Sequence, residues 1–206
     1  MHIVVTDSGV GGLSVVAYAE RFVRMQGFDE PVRLTFANAA PANDYGYNAM
    51  PSRAAKLETF DCFLRNAAAR FAPDMIYVAC NTLSVLLPDT PYVAQAEIRR
   101  WVGEAVAKMP RRDAPVVACL ACTHYGYRKD FFAAALGPGA VVIDPNESAV
   151  GDLFPRGGAS HDVDVELVTR YALPPATVET LTWLLREISP RTVAAMQHFV
   201  HVPDLF

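Results

Sequence analysis

Two short blocks hold the residues best suited to chemistry, Ala79-Cys80-Asn81-Thr82 and Ala121-Cys122-Thr123-His124-Tyr125. Each sets a cysteine where an apolar run gives way to small hydroxyl or amide residues. Met75-Ile76-Tyr77-Val78-Ala79 leads into the first, and Val116-Val117-Ala118-Cys119-Leu120-Ala121 into the second. Such runs predict buried strands, so both thiols are expected at strand carboxyl ends, where open α/β sheets bind their ligands. A thiol titrates ordinarily near pH ~8.5, and a helix N-terminus, a neighbouring imidazolium or burial moves it either way. Thiol and thiolate facing each other across a small cleft suit removal of a proton from one face of a carbon and delivery to the other, a racemisation or epimerisation.

Other chemistries use the same residues. Cys119-Leu120-Ala121-Cys122 is formally a C-x-x-C motif, and with His124 and Cys80 it makes four potential zinc ligands. Alternation along a strand sends residues 119 and 121 to the face opposite 120 and 122, which argues against zinc, and a thioredoxin-like pair sits at a helix start rather than along an apolar strand. A covalent thiol nucleophile with His124 as base is a further reading. Cys62, in a helical stretch, and Cys119, within a strand run, read as small buried hydrophobes.

Near the amino terminus, Ile3-Val4-Val5 runs into Thr6-Asp7-Ser8-Gly9-Val10-Gly11-Gly12-Leu13: a strand, a glycine-rich turn and a helix beginning near Leu13. Such a turn presents backbone N–H groups to an anion, a phosphate or a carboxylate. The dinucleotide fingerprint fails because Ser14 occupies the last glycine position, and no Gly-Lys-Ser/Thr follows for a P-loop. Asp7, at the end of the first strand, is placed to accept a hydrogen bond from an ammonium group or to orient a neighbouring acid or base.

The elements that must position these groups follow a repeated pattern of apolar run, small-residue loop and Ala-rich or amphipathic stretch, the alternation of βαβ units on a mainly parallel sheet. Strands are expected near 2–6, 32–37, 74–79, 115–121 and 140–144, and helices near 12–25, 52–70, 93–108, 128–136 and 176–188. Ser52 is the expected N-cap of the second helix, with Pro51 and Pro73 punctuating it. Residues 154–160 read as a surface loop, and Thr192-Val193-Ala194-Ala195-Met196 as a packing helix or strand. Each half has a strand that ends in cysteine, then threonine, then helical sequence. The expected architecture is therefore α/β, two facing parallel-sheet lobes with the second reduced: residues 1–91 with a return over 145–206, and a short lobe over 92–144.

The chain has 206 residues, 52% of them hydrophobic and 19% charged, which describes an ordinary folded protein. A net charge of -4, with basic residues only in brief pairs such as Arg99-Arg100 and Arg111-Arg112, gives no footprint for nucleic acid or an anionic membrane. Met1-His2-Ile3-Val4-Val5-Thr6-Asp7 lacks a basic n-region and meets an acid early, so export is not expected. No run approaches the ~20 apolar residues of a bilayer-spanning helix. Four cysteines without a secretory signal fit reduced thiols in a cytoplasmic compartment.

Taken in order, Asp7-Ser8-Gly9-Val10-Gly11-Gly12-Leu13, Ala79-Cys80-Asn81-Thr82 and Cys122-Thr123-His124-Tyr125 resemble the three signature blocks of glutamate racemases, within the aspartate/glutamate racemase superfamily. Asp44-Tyr45-Gly46, followed by the helix that Ser52 opens, is similar to that family's Pro-Tyr-Gly substrate loop. The resemblance implies a cofactor-independent, metal-free isomerase that interconverts L- and D-glutamate, with D-glutamate destined for peptidoglycan. It implies Cys80 and Cys122 as the catalytic acid/bases, assisted by Asp7 and His124. Ser8, Tyr45, Gly46, Asn81, Thr82 and Thr123 would bind the substrate's carboxylates and ammonium. The expected partner is a small amino acid, and the expected assembly, where there is one, a homodimer. Alternatives are a racemase of aspartate or a relative, another cysteine-based enzyme using one sulfur, and a catalytically impaired binding or regulatory protein, which the short stretch between the cysteine blocks would favour.

Overall fold

Five parallel strands form the main sheet in the order β3-β1-β2-β6-β7, and two more, β4 and β5, pair in parallel with each other. The computed structural model describes residues 1–42, 45–84, 86, 117–119, 123, 129 and 141–205. The strands are β1 His2–Asp7, β2 Val32–Asn38, β3 Met75–Val78, β4 Val117–Cys119, β5 Val141–Ile143, β6 Val163–Thr169 and β7 Val200–His201. The helices are α1 Leu13–Gln26, α2 Arg53–Phe71, a single turn α3 Asn81–Ser84, α4 Pro145–Leu153, α5 Pro175–Leu185 and α6 Pro190–Gln197, with a 3-10 turn over Tyr47–Ala49. The fold is α/β with parallel sheets, as the alternating pattern implies. The helices expected over 93–108 and 128–136, apart from Lys129, lie outside the described residues, as do Asp44, Cys122 and His124.

Alternation along β1 divides the core into two layers. Ile3 and Val5 face one cluster with Leu34, Phe36, Leu167 and Val16 of α1, against which α4, α5 and α6 also pack. Val4 faces the other, with Ala37 and Val168 of the sheet and Phe60, Phe63 and Leu64 of α2. Removing each of these large side chains from water contributes roughly 1.5–3 kcal/mol. Helix α1 forms because Leu13, Val16, Ala17 and Val23 recur at helical spacing on its buried face. It stops at Gly27, whose φ of 73° lies in the left-handed region and whose missing Cβ leaves room for the Gly158 carbonyl. Ser52 caps α2 as expected, its hydroxyl accepting from the Ala55 N–H at 3.1 Å.

Some segments depart from the expected map. Strands β6 and β7 and helix α4 are additional elements, while the stretch around residues 192–196, expected as a packing helix or strand, is helical, opened by Ser189 and Pro190. The 154–160 loop is coil, yet Phe154 at its head is buried, stacked on Phe22 and edge-on to Phe28. Aromatic burial overrides the turn chemistry of the residues that follow. Among the described residues no helix is long and apolar enough to cross a membrane.

The strand order places a crevice. From β1 the chain passes through α1 to β2 on one side, then through α2 back past β1 to β3 on the other. Right-handed crossovers running in opposite directions put α1 and α2 on opposite faces, as the two core clusters show. The carboxyl ends of β1 and β3 are therefore a topological switch point, the place where such sheets hold ligands.

Candidate active site

Asp7 ends β1 at that switch point and is only 2% exposed. One carboxylate oxygen accepts from the Gly12 N–H at 2.7 Å and from the Thr123 hydroxyl at 2.9 Å. The other accepts from the Gly9 N–H at 3.2 Å and, more distantly, from the Ser8 hydroxyl at 3.4 Å. The anion expected in the glycine turn is thus, at two of its N–H groups, Asp7's own carboxylate. Gly12 is needed for space: a Cβ there would lie 3.1 Å from Asp7 Cβ, Ala79 Cβ and Phe36 Cε2 alike.

Cys80 follows β3 by two residues and sits at the entrance to α3, 6% exposed. Its Sγ lies 3.1 Å from Ser8 Oγ, so Ser8 bridges the thiol and Asp7. Burial pushes the Cys80 thiol up, and the Asp7 carboxylate adds to the rise. The Ser8 hydroxyl and the N–H groups of Ser8 and Leu83 act in the opposite direction by favouring the thiolate, but the net direction is upward. Cys80 therefore rests as a protonated thiol at neutral pH.

Thr123 joins the second block to the first. Its hydroxyl donates to Asp7, and its carbonyl accepts from Asn146 Nδ2 at 2.9 Å. Asn146 stands in the first turn of α4 and is buried, with its backbone N–H on the Asp144 carboxylate at 2.9 Å. Sequence motifs had not marked it; the only local signal is the cap-like Asp144-Pro145-Asn146.

Of the residues named from sequence, Asp7, Ser8, Cys80 and Thr123 come together. Tyr45 is 39% exposed and its hydroxyl donates to the Ala49 carbonyl at 2.8 Å, while Gly46 opens the adjoining 3-10 turn. Neither is hydrogen-bonded to the cluster among the described residues. Asn81 begins α3 and Thr82, half-buried, follows it. Tyr47, unmarked by sequence reasoning, shares a buried cluster with Cys80, and burial pushes its phenol up, with further contributions from the two thiols Cys80 and Cys62. Cys62 is half-buried in α2 and Cys119 ends β4. No group of three or more His, Cys, Asp or Glu gathers into a metal-binding set among the described residues.

No family model matches the sequence. The chain is 30% identical over 113 residues, 52% of its length, to a glutamate racemase of Granulibacter bethesdensis. The match covers 38% of that relative, so the chain aligns with well under half of the curated protein. Among solved structures, a glutamate racemase isoform from Bacillus anthracis superposes with a TM-score of 0.42 at 15% identity, covering 91% of this chain and 95% of that one. The Asp7, Cys80 and Thr123 blocks thus meet at the switch point of a parallel sheet, in a chain similar over about half its length to the Granulibacter bethesdensis glutamate racemase.

Proposed function

We propose that the chain is a cofactor-independent amino-acid racemase acting on glutamate. The observation that carries this reading is the chain of contacts from Cys80 through Ser8 and Asp7 to Thr123, which joins one thiol to the neighbour of the other. In this reading Cys122, one residue before Thr123, is the second acid/base, and His124 assists it. In this reading the product D-glutamate serves peptidoglycan synthesis in the cytoplasm.

The chemistry follows from the protonation state of Cys80. The Cα–H of an amino acid is a weak acid, so its removal needs a desolvated base and hydrogen-bond donors aimed at the carboxylate. With Cys80 held as a thiol, the Cys122 thiolate takes the Cα proton and becomes a thiol, while Cys80 gives its proton to the opposite face and becomes a thiolate. The next turnover in the same direction requires the two sulfurs to exchange protons with solvent. In the same reading Ser8, Tyr45, Gly46, Asn81, Thr82 and Thr123 bind the substrate's carboxylates and ammonium.

The test is deuterium incorporation at Cα of L- and D-glutamate in heavy water, with chiral analysis, for wild type, Cys80→Ala and Cys122→Ala. Each substitution is expected to lower racemisation by about 10²–10⁴-fold, the usual contribution of a positioned acid or base. Absence of exchange in the wild type with either enantiomer removes the glutamate reading. The same assay with aspartate separates a racemase of different specificity from a binding protein, and exchange surviving both substitutions overturns the two-thiol assignment.

A further inference from the structure

Asn146 belongs to none of the blocks that mark the site, yet it is 4% exposed and its side-chain amide is aimed at the Thr123 carbonyl, 2.9 Å away. We propose that Asn146 is a positioning residue, holding the Thr123 backbone so that the Thr123 hydroxyl stays on the Asp7 carboxylate beside Cys80. The inference deepens the racemase reading and rests on it for its functional meaning.

The argument is one of two fixed points. Thr123 is tied at its carbonyl by Asn146 and at its hydroxyl by Asp7, each at 2.9 Å. Asn146 is itself immobilised, because its N–H is bound by Asp144, buried at the end of β5, and Pro145 presets the first turn of α4. Helix α4 packs against α1 through Ala149, Val150 and Leu153, in the same cluster as Val15, Val16 and Ala19. At the head of α1, the Gly12 N–H grips the other end of the bond, Asp7 Oδ2, at 2.7 Å. The Asp7 to Thr123 contact is thus held from the heads of two helices packed on each other. A part-buried carbonyl that loses this donor gains a reason to turn away, and the hydroxyl on the same residue turns with it. Asp7 then has one donor fewer, and more of its negative charge acts on the neighbouring thiol.

The test reads that thiol directly. The native chain is alkylated with iodoacetamide across a range of pH, and modification of the Cys80 peptide is followed by mass spectrometry for wild type, Asn146→Ala, Thr123→Val and the double variant. Asn146→Ala is expected to move the Cys80 profile upward by roughly half a pH unit, Thr123→Val to do the same, and the double variant to move no further than Thr123→Val. Should Asn146→Ala not fold, Asn146→Gln, which keeps the amide but displaces it by one methylene, is read the same way. An unchanged Cys80 profile with a lowered melting temperature overturns the proposal and leaves Asn146 as a helix-end residue only, and shifts that add in the double variant overturn it as well. In an active wild type, Asn146→Ala lowers kcat more than it raises KM. A wild type without racemisation removes the proposed function, while the alkylation profiles still decide the role of Asn146.

Discussion

Cys80 and Thr123 are anchored by different kinds of bond. Around Cys80 the anchors are backbone: Val5 pairs with Tyr77 and Thr6 with Val78, and the ladder continues as the Ala79 N–H donates to the Thr6 carbonyl at 2.8 Å and the Ala39 N–H to that of Asp7 at 2.9 Å. Among the described residues, Thr123 is held by side chains, its hydroxyl on Asp7 and the Asn146 amide on its carbonyl. Strand β3 lies at the edge of the five-stranded sheet but pairs with the interior strand β1 from Met75 to Val78, so it cannot slide without breaking that register. A side-chain hydrogen bond nets only about 0.5–1.5 kcal/mol and can be exchanged for a bond to a ligand. The difference teaches that Cys80 is set by the register of the sheet, whereas Thr123 meets it through contacts that a ligand can compete for.

The largest expected effect comes from removing the residue both blocks share. Asp7→Ala orphans the N–H groups of Gly9 and Gly12 together with the Thr123 hydroxyl, so a loss of about 2–4 kcal/mol in urea unfolding is expected. A wild-type urea midpoint for this variant would mean that the glycine turn stands without its carboxylate. Gly12→Ala strikes the first block alone, since its Cβ would crowd Asp7, Ala79 and Phe36 at 3.1 Å each. Two of those neighbours are Cβ atoms tied to strands that cannot retreat, so a loss of about 1–3 kcal/mol is expected. Unchanged stability would show that the first block is less rigid than its ladder implies.

Alkaline pH should produce the smallest effect. The Cys80 thiol is raised above its ordinary 9.0, and burial pushes Tyr77 from 10.0 up to about 12, with Asp152 contributing. Tyr47 is raised in the same direction. Above these ordinary values the unfolded chain has lost protons that the folded chain retains, so stability falls as pH rises from about 9, by at most ~1.4 kcal/mol per pH unit per group. Urea midpoints at successive pH values check the slope, and Cys80→Ser should remove the share that begins at the thiol's ordinary value. A flat profile to pH ~10 would mean that the Cys80 thiol ionises as freely folded as unfolded.

Much of the site was legible because it is local. The carboxylate after an apolar strand, the glycine turn that follows and the cysteine after Val78-Ala79 are patterns of a few residues, and the cap at Ser52 is another. Strand β6 carried a signal too, the alternation Val163-Asp164-Val165-Glu166-Leu167, which was absent from the expected strands although it pairs along β2 from Val32 to Ala37. Helix α6 had its Ser189-Pro190 opening. Asn146 had no comparable signal, because a buried amide that bonds a carbonyl 23 residues earlier leaves no periodic trace.

By itself the sequence determined which residues are able to do the chemistry and which kinds of element carry them, since hydrophobic period, caps and turn residues act within one or two turns of chain. Only the tertiary structure decided that β3 lies beside β1 rather than beyond β2, which creates the switch point where Asp7, Ser8 and Cys80 meet. It alone also brought Thr123 across 116 positions of sequence to Asp7. Pairing between distant segments depends on burial summed over both faces of the sheet, and no local pattern contains that sum.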